Sequence, residues 1–470
     1  MSERVVVIGG DAAGMSAASQ VRRRQPDREV VVLEKGNWTS YSACGIPYLI
    51  SGAVETIDDL VARTPQEFRD RYRIDVRMRH EALSIDLDAG KVEVRDLDHD
   101  RTISIGYDDL VIATGATPLR PSLPGIDGDR IFGVQTLDDA AALLDDAKKS
   151  RCREVVVVGG GYIGLEMAEA FLAWGATVTV VDTSDQVMRT LDPDMARRVA
   201  DGMRRRGIRV RLGEAVTGFE PGAVRTKSGP IPADLVILGM GVSPNSGLAR
   251  DAGIELGPRD AIVVDRRQRT SADGVWAAGD CATSYHRVSQ RAIHVALGTV
   301  ANKQGRVAGV NIGGGYSTFA GVVGTAITKV CELEIARTGL TESEAEQAGF
   351  GHVAVTIEST SKASYFPGAR PLAIKLVAER GSGRVLGAQI VGGDGAAKRI
   401  DTVATAVTAG MTVHDVVDLD LAYAPPFSSV WDPVAVAARE AARAVDEARS
   451  PAPRTSPLRA SGPTGSPRPH

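Results

Sequence analysis

Cys44 lies in the run Tyr41-Ser42-Ala43-Cys44-Gly45-Ile46-Pro47-Tyr48, and the other cysteines, Cys152, Cys281 and Cys331, stand far along the chain in unrelated contexts. A lone thiol can attack a disulfide or persulfide sulfur but cannot close an internal bridge. Its oxidised form is therefore a mixed disulfide or a sulfenic acid. The thiolate is the nucleophile, and a thiol of ordinary pKa, about 8.5, is mostly protonated at neutral pH. Residues 45–51 can begin a helix with Pro47 in its first turn. Cys44 would then sit at a helix N-terminus, and its pKa is expected to fall. Cys281, after Asp280, and Cys331, inside an apolar strand pattern from Ala326 to Ile335, read as inert. Cys152 reads as idle in a basic, exposed stretch, and His294 as a packing residue.

Such a sulfur needs a source of electrons, and two glycine-rich turns supply candidates. The first is Val5-Val6-Val7-Ile8-Gly9-Gly10-Asp11-Ala12-Ala13-Gly14, followed by a helical stretch to Arg24 and a strand, Glu29 to Leu33, that ends in Glu34. An acid about 20 residues beyond the last glycine suits the ribose of a dinucleotide whose pyrophosphate sits on the helix N-terminus. Asp11 stands where the middle glycine is usual. The second turn, Val155-Val156-Val157-Val158-Gly159-Gly160-Gly161-Tyr162-Ile163-Gly164, has every glycine and leads to the strand Thr177 to Val181 and Asp182. Asp182 binds a 2′-hydroxyl and repels a 2′-phosphate, and Thr183-Ser184-Asp185 offers no arginine, so NADH is expected and NADPH disfavoured. Two such units, the first at the N-terminus, point to FAD in the first and NADH in the second. Tyr107 to Gly115 and Thr270 to Asp280 add two strands ending in small-residue turns, the second with a carboxylate suited to a ribitol hydroxyl.

The whole chain, at 470 residues, is long enough for two or three domains, and 43% hydrophobic with 24% charged residues is ordinary for a globular protein. Aromatics at 4% and a net charge of −4 give no platform or field for nucleic acid. The cysteine spacing fits neither a disulfide scaffold nor a metal site. No apolar run approaches a bilayer span, and the first strand begins almost at the initiator, so a cytoplasmic location is expected.

These motifs, in this order, resemble the single-cysteine branch of the pyridine nucleotide–disulfide oxidoreductase family, which holds coenzyme A-disulfide reductases, NADH-dependent persulfide reductases, NADH oxidases and NADH peroxidases. Ser40 to Tyr48 resembles its active-site segment, Ala301 to Arg306 its flavin-facing helix, and Tyr365-Phe366-Pro367-Gly368 with Leu421 to Phe427 its dimerisation domain. The resemblance covers about Val5 to Glu447. It implies catalytic roles for Cys44 and for Tyr365 and Tyr423, the last two reaching across a dimer. It implies cofactor contacts from Gly9, Gly10, Ala13, Gly14, Glu34, Lys35, Ala113, Thr114, Gly115, Gly279, Asp280, Leu297 and Ala301, and from Gly159, Gly161, Tyr162, Ile163, Gly164, Glu166, Asp182 and Gly241. Tyr162 resembles a tyrosine covering the nicotinamide pocket, and Glu166 a glutamate near flavin and nicotinamide. It implies substrate contacts from Ser16, Gln20, Arg23, Ser40, Ala43, Asn302 and Trp431. Three departures stand out: Ala12 where peroxidases and oxidases carry histidine, Ala43 where coenzyme A-disulfide reductases usually have asparagine, and Trp431 where they commonly have lysine.

The expected fold is α/β, with two Rossmann-like dinucleotide-binding domains and a C-terminal α+β dimerisation domain. The FAD domain is expected at 1–118 and 246–320, the NADH domain at 119–245 and the dimerisation domain at 321–447. Residues 448–470, rich in Pro, Ser, Arg and Gly, are expected to be disordered. Gly313-Gly314-Gly315 reads as a hinge into the last domain. The expected function is an FAD-dependent reductase, a homodimer with shared sites, that carries electrons from NADH through flavin and Cys44 to a small disulfide or persulfide. The alternatives are an NADH oxidase and a flavoprotein that relays electrons to, or senses NADH for, a protein partner. No metal, nucleic acid or membrane partner is expected.

Overall fold

Val5, Val6 and Val7 are wholly buried, and Val30, Val31 and Val32 beside them almost so, which only a sheet covered on both faces allows. In a computed structural model that describes residues 3–150 and 152–449, they form β1 (Arg4–Ile8) and β2 (Glu29–Glu34), parallel neighbours joined by helix α1 (Ala12–Arg24). The sheet runs in the order Val275–Ala277, Asp109–Ile112, β1, β2, Asp75–Met78. After β2 the chain crosses to the short helix α2 (Ile46–Ser51), preceded by a 3₁₀ turn at Ala43–Gly45.

The second nucleotide unit repeats the plan with β3 (Glu154–Val158), helix α3 (Tyr162–Ala173) and β4 (Thr177–Val181). Its sheet runs Arg209–Arg211, β4, β3, Leu235–Leu238, Ile131–Gly133. The chain passes between the units twice, at Ala116–Pro118 and Val242–Pro244, and these two segments pair antiparallel. Asn245 pins the crossing: its side-chain amide donates to Thr114 O at 2.9 Å, and Thr114 Oγ1 donates to its carbonyl at 2.6 Å.

Helix α4 (Gly298–Ile312) lies against α1, so close that Cβ atoms on Gly305 and Gly309 would come within 2.1 Å of Ala13 O and 2.3 Å of Ala17 O. The last unit is an antiparallel sheet of five strands that begins at β5 (Ala326–Val330), followed by Leu333–Gly339, and is completed by His352–Thr360, Pro371–Glu379 and Val385–Gly392. Helices Ile400–Ala409 and Pro433–Arg449 pack against it.

Two sequence expectations change here. The pattern Ala326 to Ile335 is not one strand: it folds back at Cys331, whose φ is +55°, making a hairpin. Residues 448 and 449 close the last helix rather than open a tail, and the rest of the expected disordered segment lies outside the described residues. The expected hinge begins where α4 is capped at Gly313, with the Arg24 side chain packed over Gly313 and Gly315.

Candidate active site

The first glycine turn is dictated by crowding. Gly9 has φ +109° and a Cβ on it would lie 2.1 Å from Ala113 O, while a Cβ on Gly14 would lie 1.9 Å from Gly9 O. Glu34 is held at the turn by two backbone donors, Gly10 N–H at 2.8 Å and Gly36 N–H at 2.7 Å. Lys35 beside it is exposed. The cleft here, about 260 Å³, is lined by Glu34, Lys35, Trp38 and Tyr41. Ala13, Gly279 and Ala301 meet at one point: a Cβ on Gly279 would be 2.9 Å from Ala13 Cβ and 3.5 Å from Ala301 Cβ. Asp280 follows Gly279, receives a bond from the Leu297 N–H that precedes α4, and is pushed up by burial to about 6. His294 Nε2 bonds Asp280 O at 2.8 Å, a packing role. Ala113, Thr114 and Gly115 close the floor, with Thr114 tied to Asn245.

The second turn matches the first in detail. Gly159 also has φ +109°, and Gly164 presses its Cα face onto Gly159 O. Asp182 takes Gly160 N–H at 2.7 Å and Ser184 N–H at 2.8 Å, as Glu34 takes Gly10 and Gly36. Gly161 caps α3 without a side chain, and Tyr162 and Ile163 begin it, half-buried. Thr190 Oγ1 reaches Tyr162 Oη at 3.4 Å. Gly241, φ +98°, lies at the crossing, its carbonyl accepting Leu119 N–H. Glu166, one turn into α3, accepts a 2.6 Å bond from Thr328 Oγ1 on β5, and burial raises its pKa.

Cys44 is an exposed free thiol in the 3₁₀ turn before α2. The expected fall in its pKa is reversed in the protein frame: desolvation by the surrounding chain and then the charges of Glu166, Asp280 and Asp11 push it up. A six-residue helix whose N-cap lies one residue beyond Cys44 does not outweigh three carboxylates brought in from α3, the Asp280 turn and the first glycine turn. Ser40, at φ +49°, and Ala43 shape the loop leading to it.

Of the residues assigned to substrate, the fold joins Ser16 and Asn302, with Ser16 Oγ donating to Asn302 Oδ1 at 2.8 Å across the α1–α4 groove. Gln20 and Arg23 follow Ser16 along the same side of α1, and exposed Arg306 follows Asn302 one turn along α4. Tyr365, Tyr423 and Trp431 lie on the last unit. The two tyrosines hydrogen-bond each other, Trp431 lies under the Arg439 guanidinium at 5.4 Å, and Tyr365 is 75% exposed. Among the described residues none of their hydrogen bonds reaches the Cys44 segment. Cys281 is fully buried, its thiol directed at Ile112 O, whereas Cys152 is half-buried against Arg130 rather than exposed. Thr328 and Asn245 escape a reading of motifs, since each acts on a residue more than 100 positions away.

Two family models match the chain in sequence, pyridine nucleotide-disulphide oxidoreductase over residues 3–305 and the dimerisation domain of the same family over 325–435. The chain belongs to the pyridine nucleotide-disulphide oxidoreductase family. A relative from Pyrococcus horikoshii, named NAD(P)H coenzyme A polysulfide/persulfide reductase, is 40% identical over 443 residues, covering 93% of this chain and 98% of its own. One from Methanocaldococcus jannaschii, named NADH oxidase, is 36% identical over 443 residues, with 93% and 98% covered. The solved NAD-dependent persulfide reductase from A. fulgidus superposes with a TM-score of 0.92 at 38% identity, covering 94% of this chain and 84% of that one.

Oxidoreductases of this family use FAD and NAD(P)H, and this one has the donor set for both. Among the described residues Asp280 Oδ1 is buried with no hydrogen-bond partner, and a ribitol hydroxyl would satisfy it. The N-termini of α1 and α3 carry no side-chain cap, which leaves their first N–H groups for a pyrophosphate. The two fixed acids, Glu34 and Asp182, keep oxygen lone pairs for ribose hydroxyls.

Proposed function

We propose that this oxidoreductase reduces a small disulfide or persulfide, a coenzyme A derivative in the first place, with Cys44 as its redox sulfur. The observation that carries this is the exposed, unpartnered Cys44 between two complete dinucleotide units, with the Ser16–Asn302 groove beside α1. Gly9–Gly14 and Asp280 would hold FAD, which when bound would supply two-electron chemistry between NADH and sulfur. Asp182, with Thr183 and Ser184 after it, favours NADH over NADPH. Cys44 thiolate attacks one sulfur of the substrate, forming a mixed disulfide and releasing the other half as a thiolate, which takes a proton. Two electrons from NADH then cleave the mixed disulfide and return Cys44 and the second thiol. The sum is one disulfide, one NADH and one proton to two thiols and NAD⁺, and with a persulfide one product is hydrogen sulfide. Arg23, with Arg306 across the groove, offers cations to a phosphorylated handle. Tyr365 and Tyr423, acting from the second protomer of a homodimer, would protonate the departing thiolate. No helix among the described residues is long and apolar enough to cross a membrane, and a reducing cytoplasm suits a free thiol.

The test is anaerobic turnover of the FAD-loaded enzyme with NADH or NADPH and with coenzyme A disulfide, coenzyme A persulfide and smaller disulfides. Rapid NADH oxidation with one of them, lost by at least about 100-fold in Cys44→Ser, is expected. Turnover that survives Cys44→Ser would favour an electron relay to a protein. NADH consumption only once oxygen is admitted would overturn the reading in favour of an oxidase.

A further inference from the structure

We infer that Asp11 is a positioning residue for Cys44: it ties the loop that carries the thiol to the first dinucleotide turn and sets the charge that the sulfur feels. The inference rests on Cys44 being the redox sulfur. A dinucleotide turn has no need of a carboxylate at this place, where glycine is usual, and a carboxylate beside a pyrophosphate path is electrostatically adverse. This chain nevertheless puts one there and half-buries it.

Three bonds stitch residues 39–41 to the turn. Thr39 Oγ1 and Ser40 N–H both donate to Gly10 O, and Tyr41 N–H donates to Asp11 Oδ1 at 3.1 Å. The first two need only the backbone of residue 10. The third requires a short side-chain acceptor at position 11, which glycine and alanine lack. Tyr41 lies three residues before Cys44, and Ser40 between the bonds is held at φ +49°, so the path into the 3₁₀ turn is fixed from the Asp11 side. The groups facing Asp11 are Glu34 at the end of β2, Asp280 after its strand, the Ala12 and Tyr41 amides, the Tyr41 phenol and Cys44; burial and the two carboxylates raise Asp11 to about 6. Asp11 is therefore charged wherever Cys44 titrates, and its charge disfavours the thiolate, alongside Glu166 and Asp280. Position and charge can be separated, because asparagine keeps the acceptor oxygen and loses only the charge.

The experiment compares FAD-loaded, thiol-reduced wild type, Asp11→Asn and Asp11→Ala under anaerobic conditions. Alkylation of Cys44 by iodoacetamide is followed against pH by mass spectrometry of its peptide, with FAD content and melting temperature measured in parallel. Asp11→Asn should retain FAD and melt no lower than wild type, since a buried carboxyl raised to about 6 is relieved of its charge, while Cys44 reacts about two- to fourfold faster below its midpoint. Asp11→Ala should show the same gain in rate but melt lower than Asp11→Asn, having lost the Tyr41 bond. An alkylation curve for Asp11→Asn that overlays wild type would overturn the charge, and an Asp11→Ala protein as stable as Asp11→Asn would overturn the tether. Should Asp11→Asn fail to load FAD, Asp11→Ser, which also keeps an acceptor without charge, decides the same comparison. None of these readings uses a sulfur substrate. Failure of the reductase assignment would instead appear as turnover surviving Cys44→Ser with the alkylation differences intact.

Discussion

Asp280 shows how a site is held ready at a cost in stability. Burial raises its carboxyl to about 6 from the 3.8 of an ordinary Asp, so the folded chain prefers it protonated. A carboxyl raised in this way contributes stability that is full below about pH 3.8 and is lost as the pH rises through about 6. At neutral pH the ionised group costs the FAD-free fold on the order of 2–3 kcal/mol. Asp280→Asn should therefore melt higher than wild type at about pH 7.5, with the difference vanishing at about pH 4, in FAD-free protein followed by circular dichroism. The same variant should hold FAD less tightly, because a ribitol hydroxyl loses an anionic acceptor. A variant that melts no higher at the upper pH would show that the buried carboxyl is already satisfied without the cofactor. Cys44 teaches the complementary lesson. Its helix is visible in the local sequence, but the carboxylates that raise its pKa come from segments up to more than 200 residues away, Asp280 among them.

The pairing of α1 with α4 is set by absent side chains rather than by attraction between large ones. Gly305 and Gly309 let the helix backbones touch, and this closeness brings Ser16 within 2.8 Å of Asn302 and Ala301 against Gly279. Gly309→Ala would drive a methyl to 2.3 Å from Ala17 O, so α4 must shift away. The expected result is a loss of about 2 kcal/mol or more in denaturant unfolding, with reduced FAD content and a weakened substrate KM, whereas Asn302→Ala should raise KM with FAD content unchanged. Such requirements explain what a reading of residues can find. The glycine turns were legible because their constraint is local: Gly9 and Gly159 share φ +109°, and an acid ends the following strand in both units. The hairpin at Cys331 was not, since Val330-Cys331-Glu332-Leu333 has no glycine, proline or asparagine and a cysteine takes the positive φ. Thr328 and Asn245 were equally silent, for a threonine or asparagine gains meaning only from the distant group it meets.

The assembled molecule leaves Tyr365, Tyr423, Phe427, Val430 and Trp431 on the surface of the last unit, with Phe427 75% and Val430 70% exposed. Exposed apolar and phenolic side chains on a unit matched by the family's dimerisation domain are the expected face of a two-fold contact. If the hydrogen-bonded tyrosine pair serves the Cys44 of the other protomer, each site is built from two chains and defects must complement between them. A Cys44→Ser chain keeps its tyrosines, and a chain carrying Tyr365→Phe and Tyr423→Phe keeps its thiol; each homodimer should be inactive or nearly so. Dissociating the two in mild denaturant and reassociating them in equal amounts makes half of the dimers mixed, each with one complete site. Disulfide turnover should then return to about a quarter of the wild-type value. Tyrosines that served the Cys44 of their own chain would give no recovery, because no chain in the mixture carries both. Formation of the mixed dimer is checked by giving the two chains different affinity tags and isolating dimers that carry both, so that absent activity reports on the geometry of the site and not on failed assembly.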